Sequence, residues 1–182
     1  MATTLYIVRH GETDWNREGR IQGHTDIPLN AEGRRQAEGL AFELATSELH
    51  AVYASDLARA SQTATTVAGP RGLDVRRIAA LREKHFGTWE GMTDDEVRAR
   101  FPHAVNGAWG DGETSAELEA RVVNAVHEIA RAHPGESVLI VSHGGAIRAL
   151  HRVAGVDRPR IGNCTVATFV AEDGLLRLTD GP

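Results

Sequence analysis

The sequence predicts an α/β protein, a three-layer α/β/α sandwich around a mostly parallel sheet. Three observations predict it. Short apolar runs alternate with amphipathic stretches along the chain. Two of those runs, Leu5–Val8 and Val138–Val141, carry no charge, as strands covered on both faces require, and each leads into a histidine followed by glycine. Near the C-terminus, Thr165–Val170 and Leu175–Thr179 are joined across Glu172-Asp173-Gly174, a hairpin signal that implies one reversed strand.

Taken in order, Leu5–Val8 is the first buried strand, and its C-terminal end, Arg9-His10-Gly11, lies where open α/β sheets hold ligands. Asn30 is an N-cap for a helix over Ala31–Leu49, with Ala37, Leu40, Ala41 and Leu44 on one face. Ala51–Ala54 is the second strand, followed by Ser55-Asp56 and a helix over Leu57–Ala68 that Gly69-Pro70 stops. Val75–Ile78 is a third strand, Leu81–Gly91 a charged and aromatic loop, and Thr93–Arg100 a short helix ended by Phe101-Pro102. The glycine-rich segment Asn106–Thr114 is loop. Ser115–Ala132 is a long helix with Leu118, Val122, Val126 and Ile129 in one stripe, closed at His133-Pro134-Gly135. Val138–Val141 then ends in Ser142-His143-Gly144-Gly145 before a helix over Ala146–Val153. No internal repeat interrupts this order, and a chain of 182 residues reads as one globular domain over 1–182.

Composition removes several function classes. Twenty basic against 25 acidic residues, a net charge of −5, is not the basic excess of a nucleic-acid binder, so the expected partner is a small molecule. Cys164 is the single cysteine, which excludes an internal disulfide framework and a thiolate metal cluster and suits a reducing interior. The N-terminal apolar run is too short for a signal peptide or a membrane span, so the expectation is a cytoplasmic protein with no membrane partner.

The candidate chemistry is phosphoryl transfer, which needs neutralised equatorial oxygens, an in-line nucleophile and an acid for the leaving oxygen. Arg9-His10-Gly11 supplies a guanidinium, an imidazole and a glycine at a strand end. His143-Gly144-Gly145 supplies a second imidazole and backbone amides at a helix N-terminus. Arg59 reaches the same crevice from the first turn of its helix, and Glu83 lies in a loop placed to cover it.

With those residues assembled, Arg9-His10-Gly11-Glu12-Thr13-Asp14-Trp15-Asn16 resembles the signature of the histidine phosphatase superfamily, the phosphoglycerate mutase-like proteins. Similar agreement continues through Gln22-Gly23 to Leu29-Asn30, Ala54–Ala64, Leu81-Arg82-Glu83, Gly87–Gly91 and Val141–Gly145, in family order. The resemblance implies that His10 is the nucleophile, that Arg9, Arg59 and His143 hold the phosphate oxygens, and that Asn16 adds a hydrogen bond. It also places Gln22, Gly23 and Gly144 in the substrate site. Glu83 would protonate the leaving alcohol and then deprotonate the hydrolytic water. The arginines take the role a metal would otherwise have, so no metal and no cofactor are expected. Their charge disfavours protonation of His10, while its carbonyl partner pulls the other way.

Other residues receive plainer readings. Glu90 competes with Glu83 for the acid, and Glu83 is placed ahead of it. Arg82 is read as structural. His24 and His85 are candidates for the mouth of the site, whereas His50, His103, His127, His133 and His151 are surface or packing residues. Trp15, Trp89 and Trp109 shape the pocket or fill the core, and Cys164 is a small buried hydrophobe. A mutase of this family covers its pocket with a long insertion rich in arginine, lysine and tyrosine; here residues 92–114 contain neither tyrosine nor lysine. Water should reach the phosphoenzyme, so a phosphomonoester phosphatase acting on a small phosphorylated metabolite ranks first. A phosphoglycerate mutase ranks second and a non-catalytic phosphate-binding module third. A sugar phosphate, a phosphoglycerate derivative, phosphoserine and a cobalamin-precursor phosphate are the candidate substrates. Members of the family often pair as homodimers, and no feature of the sequence marks an interface.

Overall fold

The computed structural model describes residues 1–102, 111–158 and 160–179. Among these, six strands form one sheet: β1 (Thr3–Arg9), β2 (Ala51–Ala54), β3 (Val75–Arg77), β4 (Ser137–Ser142), β5 (Val166–Glu172) and β6 (Leu175–Thr179), in the order β3-β2-β4-β1-β5-β6. β3, β2, β4 and β1 run parallel. β5 is antiparallel to both β1 and β6, so it is the one reversed strand. The Asp173-Gly174 turn connects β5 to β6, with both residues in the left-handed region that such a tight connection demands.

Two apolar layers follow from the period-2 alternation of the central strands. Leu5 and Ile7 of β1, with Val138 and Ile140 of β4, pack beneath α5 (Ser115–Ala132) and α6 (Gly144–Val153). Val8, Leu139 and Val141 point the other way, against α2 (Ala31–Glu43) and α3 (Ala58–Ala68). Because both faces are covered, these strands show no polar alternation. β1 and β4 are neighbours in register, Val8 opposite Val141 and Arg9 opposite Ser142. The chain leaves them toward opposite faces, and that divergence opens a crevice at their C-terminal ends.

The predicted helix over Ala31–Leu49 stops early, at Glu43. Its C-cap is Leu44, whose carbonyl accepts from Ser47 N and from the guanidinium of Arg71, so orphan acceptors at the helix end find partners without another turn. Two elements begin elsewhere than expected. Asp14–Arg17 is a short helix, α1, inside the Arg-His-Gly signature, set by a capping box between Thr13 and Asn16. α6 starts at Gly144 rather than Ala146, because Ile147 N already bonds His143 O. Asp94–Arg100, α4, is capped by Thr93. Of the loop expected over Asn106–Thr114, residues 111–114 carry no helix or strand, while 106–110 lie outside the described residues, as do His103 and Trp109. Among the described residues no helix is long and apolar enough to cross a membrane.

Gly11 and Gly33 bring the signature loop against the first turn of α2. A Cβ on Gly33 would lie 2.0 Å from Glu12 O, and one on Gly11 2.4 Å from Gly33 O. Both obstacles are backbone, which cannot swing aside. Gly33→Ala is therefore expected to destabilise the protein by about 3 kcal/mol, read as a shift of the urea midpoint, while Gly39→Ala, open on the same helix, should be neutral or stabilising.

Candidate active site

The crevice is built on two strand ends. His10 follows β1 and His143 follows β4; their rings meet edge to face with centroids 5.0 Å apart. Both are essentially buried, as is Arg59, which enters from the first turn of α3. Arg9 lies at the end of β1, its Nη1 donating to Ile161 O at 2.6 Å.

His10 Nδ1 lies 2.7 Å from Gly11 O. A carbonyl only accepts, so Nδ1 carries the proton and the lone pair resides on Nε2. Burial holds His10 well below the ordinary imidazole range, and the Arg59 and Arg9 guanidiniums push in the same direction against the Gly11 carbonyl. His143 is lowered likewise, by burial first and then by Arg59, His10 and Arg9. Both imidazoles are therefore neutral at pH 7.

Arg59 is fixed by loop carbonyls, Nη1 donating to Thr25 O at 2.9 Å and Nη2 to Gly23 O at 2.7 Å. Burial pulls its guanidinium down to about 10, which leaves it charged at neutral pH. Among the described residues, Arg9 Nε, Arg59 Nε and both ring nitrogens of His143 are buried without a hydrogen-bond partner. Leaving one buried polar group unpaired costs about 1–3 kcal/mol, so these four, three of them donors when His143 is neutral, mark a crevice shaped for acceptor oxygens.

Glu83 closes the crevice from the other side. Its Oε2 accepts from Gly145 N at 2.8 Å, in the first turn of α6, and its Oε1 from Lys84 N at 2.9 Å. A Cβ on Gly145 would strike that carboxylate at 2.1 Å, which accounts for the glycine there. Glu90 is committed elsewhere: its carboxylate accepts from His24 N, Thr25 N, Thr25 Oγ1 and Phe86 N. Of the two carboxylates, Glu83 is the one bonded to the first turn of α6, just after His143, and its charge acts on Arg9 and Arg59.

The remaining predicted residues take supporting places. Asn16 spends its carboxamide oxygen on Thr13 N and Oγ1, so its NH2 end is what it can offer a ligand. Gln22 Oε1 accepts from Thr13 Oγ1 at 2.8 Å, and Gly23, in the left-handed region, contributes the carbonyl that holds Arg59. Arg82 is structural, paired bidentately with Asp56 at 2.7 and 2.6 Å. His24 donates to Glu83 O and stacks obliquely against the half-exposed His85. His133 and His151 are packing residues, bonded to Tyr53 and Glu136 and to Ile147 O respectively. Burial pushes the Cys164 thiol up to about 12, which removes it as a nucleophile.

Sequence reasoning missed Asn163. Its Nδ2 donates to His10 O at 2.9 Å and lies 3.4 Å from Asn16 Oδ1, while Cys164 N donates to Arg9 O at 2.9 Å. This segment thus clamps the Arg9-His10 dipeptide from the strand on the far side. The positive φ of Cys164, 52°, is the local trace of that turn, and nothing in the sequence flags it.

This geometry coincides with a family match: residues 5–179 fit the histidine phosphatase superfamily, branch 1. The chain belongs to that superfamily. The phosphoglycerate mutase-like protein 4 of Arabidopsis thaliana is 37% identical, with 93% of this chain and 80% of the relative covered. The metal-independent phosphoserine phosphatase of the same plant is 38% identical over 82% of this chain and 67% of its own. Among solved structures, mycobacterial hydrolase 1 superposes with a TM-score of 0.89 at 30% identity, covering 99% of this chain and 98% of its own. As in the sequence reading, this histidine phosphatase has an α/β fold of the phosphoglycerate mutase-like kind.

Proposed function

We propose that this histidine phosphatase is a metal-independent phosphomonoester hydrolase, acting as one catalytic domain on a small phosphorylated metabolite. The observation that carries the reading is the His10 imidazole, with Nδ1 tied to Gly11 O and its lone pair on Nε2, beside unpaired arginine and histidine donors. In the first half-reaction His10 Nε2 attacks phosphorus and the bond to the ester oxygen breaks. Glu83, in its acid form, gives that oxygen a proton as the alcohol leaves. Arg9, Arg59, His143 and Asn16 hold the phosphoryl oxygens as charge redistributes. In the second half-reaction water attacks phosphorus, Glu83 takes a proton from it, and the phosphorus–nitrogen bond breaks to regenerate His10 and release phosphate.

Substrates of the phosphoserine type are the first to try, because a relative bears that activity in its name. The net charge of −5 and the lone Cys164 favour a cytoplasmic protein working on a small molecule rather than on nucleic acid or a membrane. Phosphoglycerate mutase is the second reading, favoured by the mutase-like relative and opposed by the absence of tyrosine and lysine from residues 92–114.

Phosphate release from phosphoserine, 3-phosphoglycerate, a sugar phosphate and a nitrophenyl phosphate, measured with chelator present, tests the proposal. Release that survives chelation is the expected result. Interconversion of 2- and 3-phosphoglycerate without phosphate release would replace the hydrolase by the mutase, and inactivity in both assays would leave a binding module.

A further inference from the structure

Glu83 sits in a stretch without regular structure, between 3-10 turns at Ala79–Leu81 and Gly87–Trp89. No sheet ladder holds its backbone. A proton donor placed that way needs another anchor, because misplacement by about 1 Å can cost 100-fold in rate.

We propose that Arg121, on α5 and outside the phosphate crevice, is the positioning residue for Glu83, with Glu113 as the group that aligns it. The proposal rests on the reading of Glu83 as the proton donor. Arg121 Nη1 donates to Ala80 O at 3.0 Å and to Arg82 O at 2.8 Å, and Nη2 donates to Glu83 O at 2.7 Å. Nε and Nη2 also reach the two carboxylate oxygens of Glu113, at 2.6 and 2.8 Å. These contacts use all five N–H donors of a guanidinium, in the fixed fork that lysine lacks. Glu113 in turn brackets His85, accepting from His85 N at 3.2 Å and donating from its own N to His85 O at 2.8 Å. The main chain is thus held at 80, 82, 83 and 85, on both sides of the acid.

The anchor itself is rigid. Leu118 and Val122, flanking Arg121 on α5, are buried in the core, and Thr114, just after Glu113, caps the helix in a capping box with Glu117. An ion pair serving stability alone has no need to address three carbonyls of one loop. Arg121 spends three of its donors there.

The test compares kcat/KM for nitrophenyl phosphate and glycerol phosphate in Arg121→Lys, Glu113→Gln and Glu83→Gln. This parameter covers steps only through the first phosphoryl transfer, so it isolates help given to the leaving group. A nitrophenolate departs without an acid, whereas an alkoxide does not. Arg121→Lys is expected to lose about 10- to 100-fold on glycerol phosphate and less than about 3-fold on nitrophenyl phosphate, with Glu113→Gln following in the same direction. Equal losses on both esters for Arg121→Lys and Glu113→Gln, alongside a leaving-group-dependent loss in Glu83→Gln, would overturn the positioning role and leave the acid in place. Equal losses in Glu83→Gln would remove Glu83 as the acid, and the proposal would fall with it. Glu113→Gln preserves shape and one acceptor, so the comparison stands even if substitution of Arg121 weakens folding.

Discussion

Phosphate release by the His10→Ala protein is expected to fall by about 10^5-fold or more, the loss typical when a covalent nucleophile is removed. The pocket that remains still presents Arg9, Arg59 and His143, so substrate binding should survive and the loss should appear in kcat rather than in KM. The wild-type enzyme, quenched during turnover with a labelled ester, should carry label that alkali preserves and acid releases, as a phosphorus–nitrogen bond requires. The His10→Ala protein should carry none. A variant retaining wild-type turnover would remove His10 from the mechanism altogether. Misfolding is not the expected reason for loss, because among the described residues the ring makes a single hydrogen bond, to the carbonyl of its own neighbour. A urea midpoint near that of the wild type checks this.

The reason His10 was legible in the sequence is physical as much as familial. An uncharged run that ends in Arg-His-Gly must end where the sheet ends, and a second run ending in His-Gly-Gly must do the same; adjacency of β1 and β4 then brings the two histidines together. The apolar stripe and the His133-Pro134-Gly135 turn located α5 to the residue, from Ser115 to Ala132, because both are local signals. Where stopping or starting depended on distant partners, the sequence was silent. α2 ends at Glu43 because Arg71, far along the chain, supplies a donor to Leu44 O. The glycine of Arg9-His10-Gly11 is required because Gly33 backbone occupies the space a side chain would need, a contact between segments that the motif alone does not reveal. Asn163 and Arg121 act through main-chain carbonyls remote in sequence, and a residue that recognises a carbonyl leaves no pattern of its own kind at the other end. Arg121 in particular resembles any solvated helix arginine until the loop at 80–83 is seen against it.

Acid should destabilise the fold well before its carboxylates titrate. His10 and His143 are fully buried and held well below the ordinary value of 6.5. In the unfolded chain both return to about 6.5. Above that pH they are neutral in either state and contribute nothing to the pH dependence. As the pH falls through 6.5 the unfolded chain binds two protons that the folded protein refuses, so unfolding becomes more favourable; the stability is present above the unfolded value and lost on the acid side. With about 1.4 kcal/mol per proton per pH unit, the two rings together should cost about 3 kcal/mol between pH 7.5 and pH 5.5. His24 and His151, also lowered by burial, add to the same slope. Urea titrations at the two pH values measure the loss, and His143→Asn should reduce it by about half of the two-ring contribution. A pH-independent midpoint across that interval would mean that His10 and His143 take up protons in the fold as readily as in the unfolded chain, so that His10 would lose its attacking lone pair near pH 6.5 rather than well below it. The stability measurement therefore bears on the chemistry: the neutrality that weakens the fold in acid is the condition for nucleophilic attack at neutral pH, and the same buried arginines that repel the proton attract the phosphate.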